Sequence, residues 1–443
     1  LIRWKKSIPP HNFFSLSGEK VLIKGAKYSN IIDFKNRKIH RLNAHATRIL
    51  ELGNQGYKTS EIAGKLSSKI QKSDIMHILN ELAGQNIIEF SSRHMPRLTK
   101  EYPSPKLNFL WIELTHRCNL RCIHCYAEAK NRTIKRSQDL PKENVQKIID
   151  EAVELGCRRI QFTGGEPTLS KYFKEVIVYA KERGFEFIEI FTNGTTLNEP
   201  VISFLAKNGV NVAISIYSYR AETHDSITGV VGSFERTMNN LKLLLDYGVK
   251  TCCEVVAMKE NEEDLAATIY LLSKLGLCER LPDPVRPIGK GRGMKNWPSN
   301  YGLKYIESRP FLIIEKESYV IKQRWNSCWF GKAAVTSSGD VLPCVFARSQ
   351  VAGNVKQQGF AKIVQGDKML EFWGLNKDKV YVCKDCEFRY VCEDCTPWSY
   401  GFTGNLYSKL PTCTYDPYTG EWGKATEAFV QKKENKPLRK ESS

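Results

Sequence analysis

Residues 108 to about 288 predict an α/β fold, a parallel sheet or barrel, on three observations. Strand-like runs recur along this stretch as FLWIEL, RRIQFT, FEFIEIFT, VNVAISIYS and VKTCCEVVAM. Helical patterns such as 142–155 and 233–246 separate them, and strands alternating with helices argue for parallel pairing. Two unusual loops, CNLRCIHCY and TGGEP, follow the first and second strands. Both fall at the C-terminal ends of strands, where such folds gather their chemistry.

The flanking segments follow in chain order. VLIKG, SNIIDF and KIHRL read as a small meander of strands. Asn43 is placed to cap the first of three helices, and Ile75, Ile78, Leu79 and Leu82 share one face of residues 73–83. NIIEF adds one more strand. This is the outline of a winged helix-turn-helix, assigned to residues 13–95. PRLTKEYPSPK, residues 96–106, carries three prolines and reads as a linker. The α/β unit takes 107–300, a bridging region 301–324, and a cysteine-dense, turn-rich domain 325–425. That last domain is expected to owe its order to metal more than to a large apolar core. The charged tail, 426–443, is expected to be disordered.

No apolar run among the 443 residues is long enough to cross a bilayer, and LIRWKKSIPPHNFF lacks the apolar stretch and cleavage site of a signal peptide. A cytoplasmic location with no membrane partner is therefore expected. In that compartment fourteen cysteines point to metal or redox work over a disulfide framework. The formal net charge is +18, and the first 110 residues hold 19 Lys+Arg against 8 Asp+Glu. Such a field suits nucleic acid or an acidic peptide, and equally a basic surface that only keeps the protein soluble.

The first cysteine group is Cys118, Cys122 and Cys125. Thiolates are soft ligands for zinc or iron–sulfur clusters. Structural zinc closes with four ligands, commonly paired C-x-x-C knuckles. Three thiols with no local fourth would instead hold three irons of a [4Fe–4S] cube and leave one iron open to a small molecule. His124 is either a further ligand or an ordinary loop residue. The spacing C-x3-C-x2-C followed by an aromatic, Tyr126, together with GGEP at Gly164, Gly165, Glu166 and Pro167, resembles the radical S-adenosylmethionine (SAM) superfamily. The resemblance implies a partial (β/α)6 barrel whose open iron chelates SAM and whose GGEP stretch contacts the SAM amino group. One-electron cleavage then yields a 5′-deoxyadenosyl radical. Asn193 in FTNG and Ser215 in ISIYS resemble family positions near the ribose, although Asn-Gly is also simply a good turn. HDSITGVVGSF resembles a stretch common in the superfamily and is assigned a structural role.

The second group is Cys328, Cys344, Cys383, Cys386, Cys392, Cys395 and Cys413. Gly339 five positions before Cys344, and the run CKDCEFRYVCEDC, resemble the SPASM extension with its two auxiliary [4Fe–4S] clusters. Here the run is one residue short at its final gap, which puts the last ligand's geometry in question. The resemblance implies that Cys383, Cys386, Cys392 and Cys413 close a distal cluster. Cys328, Cys344 and Cys395 would hold a nearer one with a corner left open. A zinc ribbon is the competing reading of the late run. Cys157, Cys252, Cys253 and Cys278 are assigned to the core.

Residues 20–90 resemble the precursor-peptide recognition element fused to peptide-modifying radical enzymes. That implies a leader peptide adding a strand beside Ile39, Arg41 and Leu42 and packing on the helix bearing Ile75 and Leu79. Lys35, Arg37, Lys38 and Arg41 would meet acidic leader residues, or would only keep an edge strand from aggregating. The whole order resembles subtilosin-type maturases of ribosomally made peptides. The expected activity is an intramolecular crosslink, thioether or carbon–carbon, in a precursor with leader and core. Three [4Fe–4S] clusters, SAM and an external reductant such as flavodoxin or ferredoxin would serve it. No catalytic base is assigned. A radical enzyme acting on nucleic acid or a small metabolite and a non-enzymatic iron–sulfur DNA-binding regulator remain as rivals.

Overall fold

The computed structural model describes residues 12–94, 102–131, 139–277, 281–299, 311–393 and 395–423, apart from positions 67, 69 and 293. The expected linker and bridging region fall partly outside these residues, and the tail and Cys278 wholly so.

The N-terminal module contains β1 (Phe13–Leu16), β2 (Lys20–Lys24), β3 (Ser29–Asp33), β4 (Lys38–Leu42), α1 (Ala44–Asn54), α2 (Thr59–Leu66), α3 (Lys72–Gly84) and β5 (Ile88–Ser91). The Asn43 side chain caps α1 by accepting from the Ala46 N–H at 2.9 Å. Strands β2, β3 and β4 form the expected meander. Strand β5 pairs with β1, a run of four residues not foreseen, to make a separate antiparallel pair. Leu42, Ile75 and Leu79 are buried with Ile31, Ile49 and Ile62 in the module's own core. Their expected role as peptide contacts is thereby corrected, because a side chain closed inside the core cannot also be offered to a partner.

Five parallel strands follow: β6 (Phe109–Thr115), β7 (Arg159–Gly164), β8 (Phe187–Thr192), β9 (Asn211–Ser215) and β10 (Thr251–Glu254). They alternate with α4 (Lys142–Glu154), α5 (Phe173–Glu182), α6 (Glu199–Asn208), α7 (Ala221–Thr228) and α8 (Ser233–Asp246). Register puts Ile112 beside Phe162, Ile190 beside Val212 and Ile214 beside Cys253. These residues share one core with Val145, Ile149, Val176, Ile202 and Leu241 of the helices. Successive side chains on a strand point to opposite faces. Glu113, Thr163, Phe191, Ser215, Cys252 and Glu254 therefore belong to the inner face. The sixth strand, Asp283–Pro284, pairs in parallel with Val256–Ala257 and with no other strand among the described residues, which leaves the barrel open on that side among them.

The cysteine-dense domain departs from expectation. Its strand Lys332–Val335 pairs in parallel with β6 on the edge opposite β7, and Asp340–Leu342 and Gly353–Asn354 extend the same sheet to eight strands. Trp329, Val335, Leu342 and Trp373 lie in the barrel's own apolar core. This part of the chain is ordered by apolar burial as well as by whatever its thiols bind.

The N-terminal module docks on the same domain. Ala26 N–H donates to the Asp385 carbonyl at 2.8 Å and Lys27 N–H to the Pro417 carbonyl at 3.2 Å. Arg41 donates to the Gly420 carbonyl at 3.2 Å and the Tyr415 hydroxyl at 3.1 Å, with its guanidinium 4.7 Å over the Tyr28 ring. Ile39 packs partly buried with Ile32, Tyr319 and Val391. Arg41 is thus tied within the chain, whereas Lys35, Arg37 and Lys38 are exposed.

Candidate active site

After β6 the chain turns into the loop bearing Cys118, Cys122 and Cys125, and the GGEP loop is zipped to that turn. Gly165 N–H donates to the Thr115 carbonyl at 2.8 Å, and Glu166 N–H to the Arg117 carbonyl at 2.9 Å. A Cβ on Gly164, at φ +133, would sit 2.3 Å from the Thr115 oxygen; one on Gly165 would sit 2.2 Å from the Arg117 oxygen. Both glycines are needed for this approach of backbone to backbone. Gly165→Ala is expected to cost about 1–3 kcal/mol through overpacking, measured as a lower midpoint in thermal unfolding.

Residues 227–232 cover the loop. Arg121 N–H donates to the Thr228 carbonyl at 2.8 Å and Ile123 N–H to the Ile227 carbonyl at 3.0 Å. Asp225 shapes this cover by accepting from the Gly232 and Phe234 N–H groups and the Ser233 hydroxyl. The HDSITGVVGSF stretch therefore braces the cysteine loop.

The three thiols neighbour one another within a collar of Leu120, Ala129 and Val230. Leu120 N–H donates to Cys118 Sγ and Ala129 N–H to Cys125 Sγ, each at 3.4 Å; Asn193 Nδ2 lies 3.8 Å from Cys118 Sγ. Burial pushes the Cys118 thiol up to about 12, and burial followed by its two thiol neighbours raises Cys122 as well. A bound cation is what would release such protons, and the N–H donors then support the thiolates. Among the described residues no three His, Cys, Asp or Glu side chains converge as they would on a single ion. The donor set, three soft thiolates with N–H groups aimed at two of them, fits an iron–sulfur cluster. The His124 ring lies 4.7 Å from Tyr217, its Nδ1 is buried with no hydrogen-bond partner, and burial holds its pKa down to about 4.

Glu166 is fully buried and joins the ends of β7 and β8. Its carboxylate accepts from the Thr168 hydroxyl at 2.7 Å, the Thr192 hydroxyl at 2.7 Å and the Asn193 N–H at 2.9 Å. Burial raises its pKa, and these bonds work against that rise. Asn193 passes the link onward, donating to Asn119 Oδ1 at 3.0 Å and accepting from Thr195. Pro167 opens a short turn capped by Glu166. Ser215 is buried at the end of β9, two residues before the buried Tyr217. Tyr126 stands 4.9 Å from the Phe346 ring, with the Arg348 guanidinium 5.9 Å over its own. Arg348 in turn forms two bonds to Glu113 of β6, at 2.6 and 3.3 Å. Neither partner carries a motif, and nothing local in the sequence signals the pair.

The late cysteines form two groups. Cys383, Cys386, Cys392 and Cys413 line one hollow together with Lys377 and Lys409. Phe388 N–H donates to Cys386 Sγ at 3.4 Å. Val382 enters this run at φ +67, an outlier for a β-branched residue. Cys328, Cys344 and Cys395 neighbour one another elsewhere, where burial, then Cys395 and Cys344, raises Cys328 to about 12. Cys157 and Cys253 lie in the barrel core as expected. Cys252 does not: β10 turns it to the inner face, its Sγ 4.0 Å from Glu254 Oε1.

Comparison with known proteins matches residues 112–272 to the Radical SAM superfamily and residues 328–387 to SPASM, an iron–sulfur cluster-binding domain. The antilisterial bacteriocin subtilosin biosynthesis protein AlbA of Bacillus subtilis is 26% identical over 76% of this chain and 78% of its own. An AdoMet-dependent heme synthase of Methanosarcina barkeri is also 26% identical, over 69% of this chain and 95% of its own. Among solved structures, Streptococcus suis SuiB bound to precursor peptide SuiA superposes with a TM-score of 0.54 at 17% identity, covering 87% of this chain and 96% of that one. At that identity the likeness speaks for the fold. The chain thus carries a radical SAM domain over residues 112–272, with the first cysteine loop, and a SPASM iron–sulfur cluster-binding domain over residues 328–387, with Cys328, Cys344, Cys383 and Cys386.

Proposed function

We propose that this protein is a radical SAM maturase that closes an intramolecular thioether or carbon–carbon crosslink in a ribosomally synthesised precursor peptide. The observation that carries the reading is the third component of the chain: a strand–helix module joined to barrel and SPASM domain, with β4 unpaired by any further strand among the described residues. A leader peptide can add to that edge through backbone hydrogen bonds, beside exposed Lys35, Arg37 and Lys38. Its core segment then lies at the open mouth of the barrel, above the inner-face residues Ser215, Cys252 and Glu254.

In this reading Cys118, Cys122 and Cys125 hold the cluster that binds SAM, and Tyr126, Gly164 to Pro167, Asn193 and Ser215 surround the cofactor. Cys383, Cys386, Cys392 and Cys413 hold a distal cluster, and Cys328, Cys344 and Cys395 a nearer one, three clusters in all. The bound cofactor supplies a 5′-deoxyadenosyl radical on receipt of one electron from a flavodoxin- or ferredoxin-type donor. That radical takes a hydrogen atom from Cα or Cβ of a core residue. Bond closure with a thiol would release one proton and one electron, and a cluster held by Cys328, Cys344 and Cys395 would be placed to accept the electron. The polar inner face orients the reacting segment, and the Glu166 network holds the two loops that frame it.

The test is anaerobic incubation of the reconstituted full chain with reductant, SAM and the precursor encoded beside its gene. A product lighter by two hydrogen atoms, formed with the leader present and lost without it, is the expected result. A second reading, chemistry on a small metabolite such as a tetrapyrrole, has the heme synthase relatives in its favour. Turnover of an iron porphyrin precursor with no peptide turnover would establish that reading in place of the first. The DNA-regulator reading loses support from α3, whose exposed face carries one lysine, Lys72, against the carboxylates Asp74 and Glu81, which phosphates repel.

A further inference from the structure

Arg286 lies just past the sixth barrel strand, in a segment that touches two cysteine groups at once. On one side this segment grips the first cysteine loop: Lys290 N–H donates to the Cys125 carbonyl at 3.0 Å. Gly289, at φ +58, permits that approach, since a Cβ there would sit 2.6 Å from the Cys125 oxygen. On the other side Arg286 turns inward. Its guanidinium lies 4.2 Å over the Phe346 ring, two residues from Cys344, and its charge interacts with the Cys395 side chain. Phe346 meets Tyr126, the residue after Cys125, at 4.9 Å. The segment thus links the SAM-side loop to the Cys328, Cys344 and Cys395 group.

The partner that Arg286 has without any cluster is Asp283, at 3.0 Å, and it does not suffice. The Asp283 side chain is 55% exposed, that of Arg286 only 21%. A pair of that kind contributes little and gives a guanidinium no reason to turn inward over a ring. An arginine does not lose its proton in a protein, so the charge is permanent wherever it is placed.

Resting on the cluster assignment proposed above, we infer that Arg286 is the resident counter-ion of the nearer auxiliary cluster and raises its reduction potential. A permanent positive charge beside a cluster thiolate favours the reduced, more negative form. The step served is the last of the proposed reaction: as the new bond closes, the substrate radical is oxidised by one electron and the nearer cluster is reduced by it. Lys332 acts on the same thiols from the adjoining strand, so the site is cationic on two sides.

The test is a potentiometric titration of the reconstituted full-length protein, followed by electron paramagnetic resonance, with iron content measured alongside. In Arg286→Gln the equilibrium for reducing the nearer cluster should fall at least about tenfold, about 59 mV for one electron. The cluster on Cys118, Cys122 and Cys125 should keep its midpoint, and Arg286→Lys should restore most of the shift. An unchanged midpoint in Arg286→Gln with full iron content overturns the inference and leaves the cluster assignment standing. Should that variant lose iron, Asp283→Asn decides: removing the exposed competing carboxylate should raise the midpoint, and no change overturns the inference. A wild-type protein with no signal from a second auxiliary cluster overturns both the assignment and the inference.

Discussion

Cys118→Ala is expected to reduce the formation of 5′-deoxyadenosine from SAM by at least about a thousandfold, about 4 kcal/mol of barrier. Cys118 is the least exposed residue of the three loop cysteines and receives hydrogen bonds from both Leu120 and Asn193. Its loss would leave two thiols around a site built for three, so the variant should also retain less iron than wild type after reconstitution. Cys413→Ala is the control. It removes a thiol from the distal hollow, and the resting cleavage of SAM should survive while peptide crosslinking falls. Turnover of Cys118→Ala at the wild-type rate would remove the basis for placing the radical chemistry at this loop. Equal loss of cleavage in the two variants would mean that the late cysteines act on the fold as a whole.

The parts of the molecule legible in the sequence are those governed by local periodicity and local spacing. The helices at 142–154 and 233–246, and the strands ending at Thr115, Gly164 and Thr192, repeat an alternation that needs no long-range information. The loops after the first two strands could be placed at the mouth of the barrel for the same reason. Pairing across distance was not legible. FFSL at 13–16 is too short to announce itself, and it is a strand because Ile88–Ser91 lies beside it. Lys332–Val335 reads as a brief apolar run among cysteines, and only the folded chain reveals that it continues the sheet from Phe109–Ile112. Leu42, Ile75 and Leu79 show the converse limit: apolar periodicity identifies a buried face, and burial against the module's own strands looks the same in sequence as burial against a peptide. Cys252 was misjudged because an apolar strand context does not say which face of the barrel a position occupies. The charge partners of the site, Arg348 for Glu113 and Arg286 beside Cys395, come from segments far apart in the chain and carry no motif.

The Glu113–Arg348 pair gives the other large expected effect. Glu113 is 3% exposed and Arg348 21%, and their contact at 2.6 Å joins the first barrel strand to the segment that follows Cys344. Removing one member of a buried pair strands the other without a counter-charge, which costs about 3–5 kcal/mol. Arg348→Met should therefore lower the thermal unfolding midpoint of the reconstituted protein markedly, and Glu113→Gln alone should do so less, since the remaining guanidinium is part-exposed and can reach water. The double variant Glu113→Gln, Arg348→Met should recover much of the loss, because a buried pair contributes little net stability over neutral residues of similar volume. Function should not recover with stability. Arg348 also lies over Tyr126, which packs on Phe346, so the pair holds the wall between the SAM-side loop and the nearer thiol group. A double variant that regains its melting temperature and yet cleaves SAM without crosslinking would separate the two roles. One that regains both would reduce the pair to a fastening between domains.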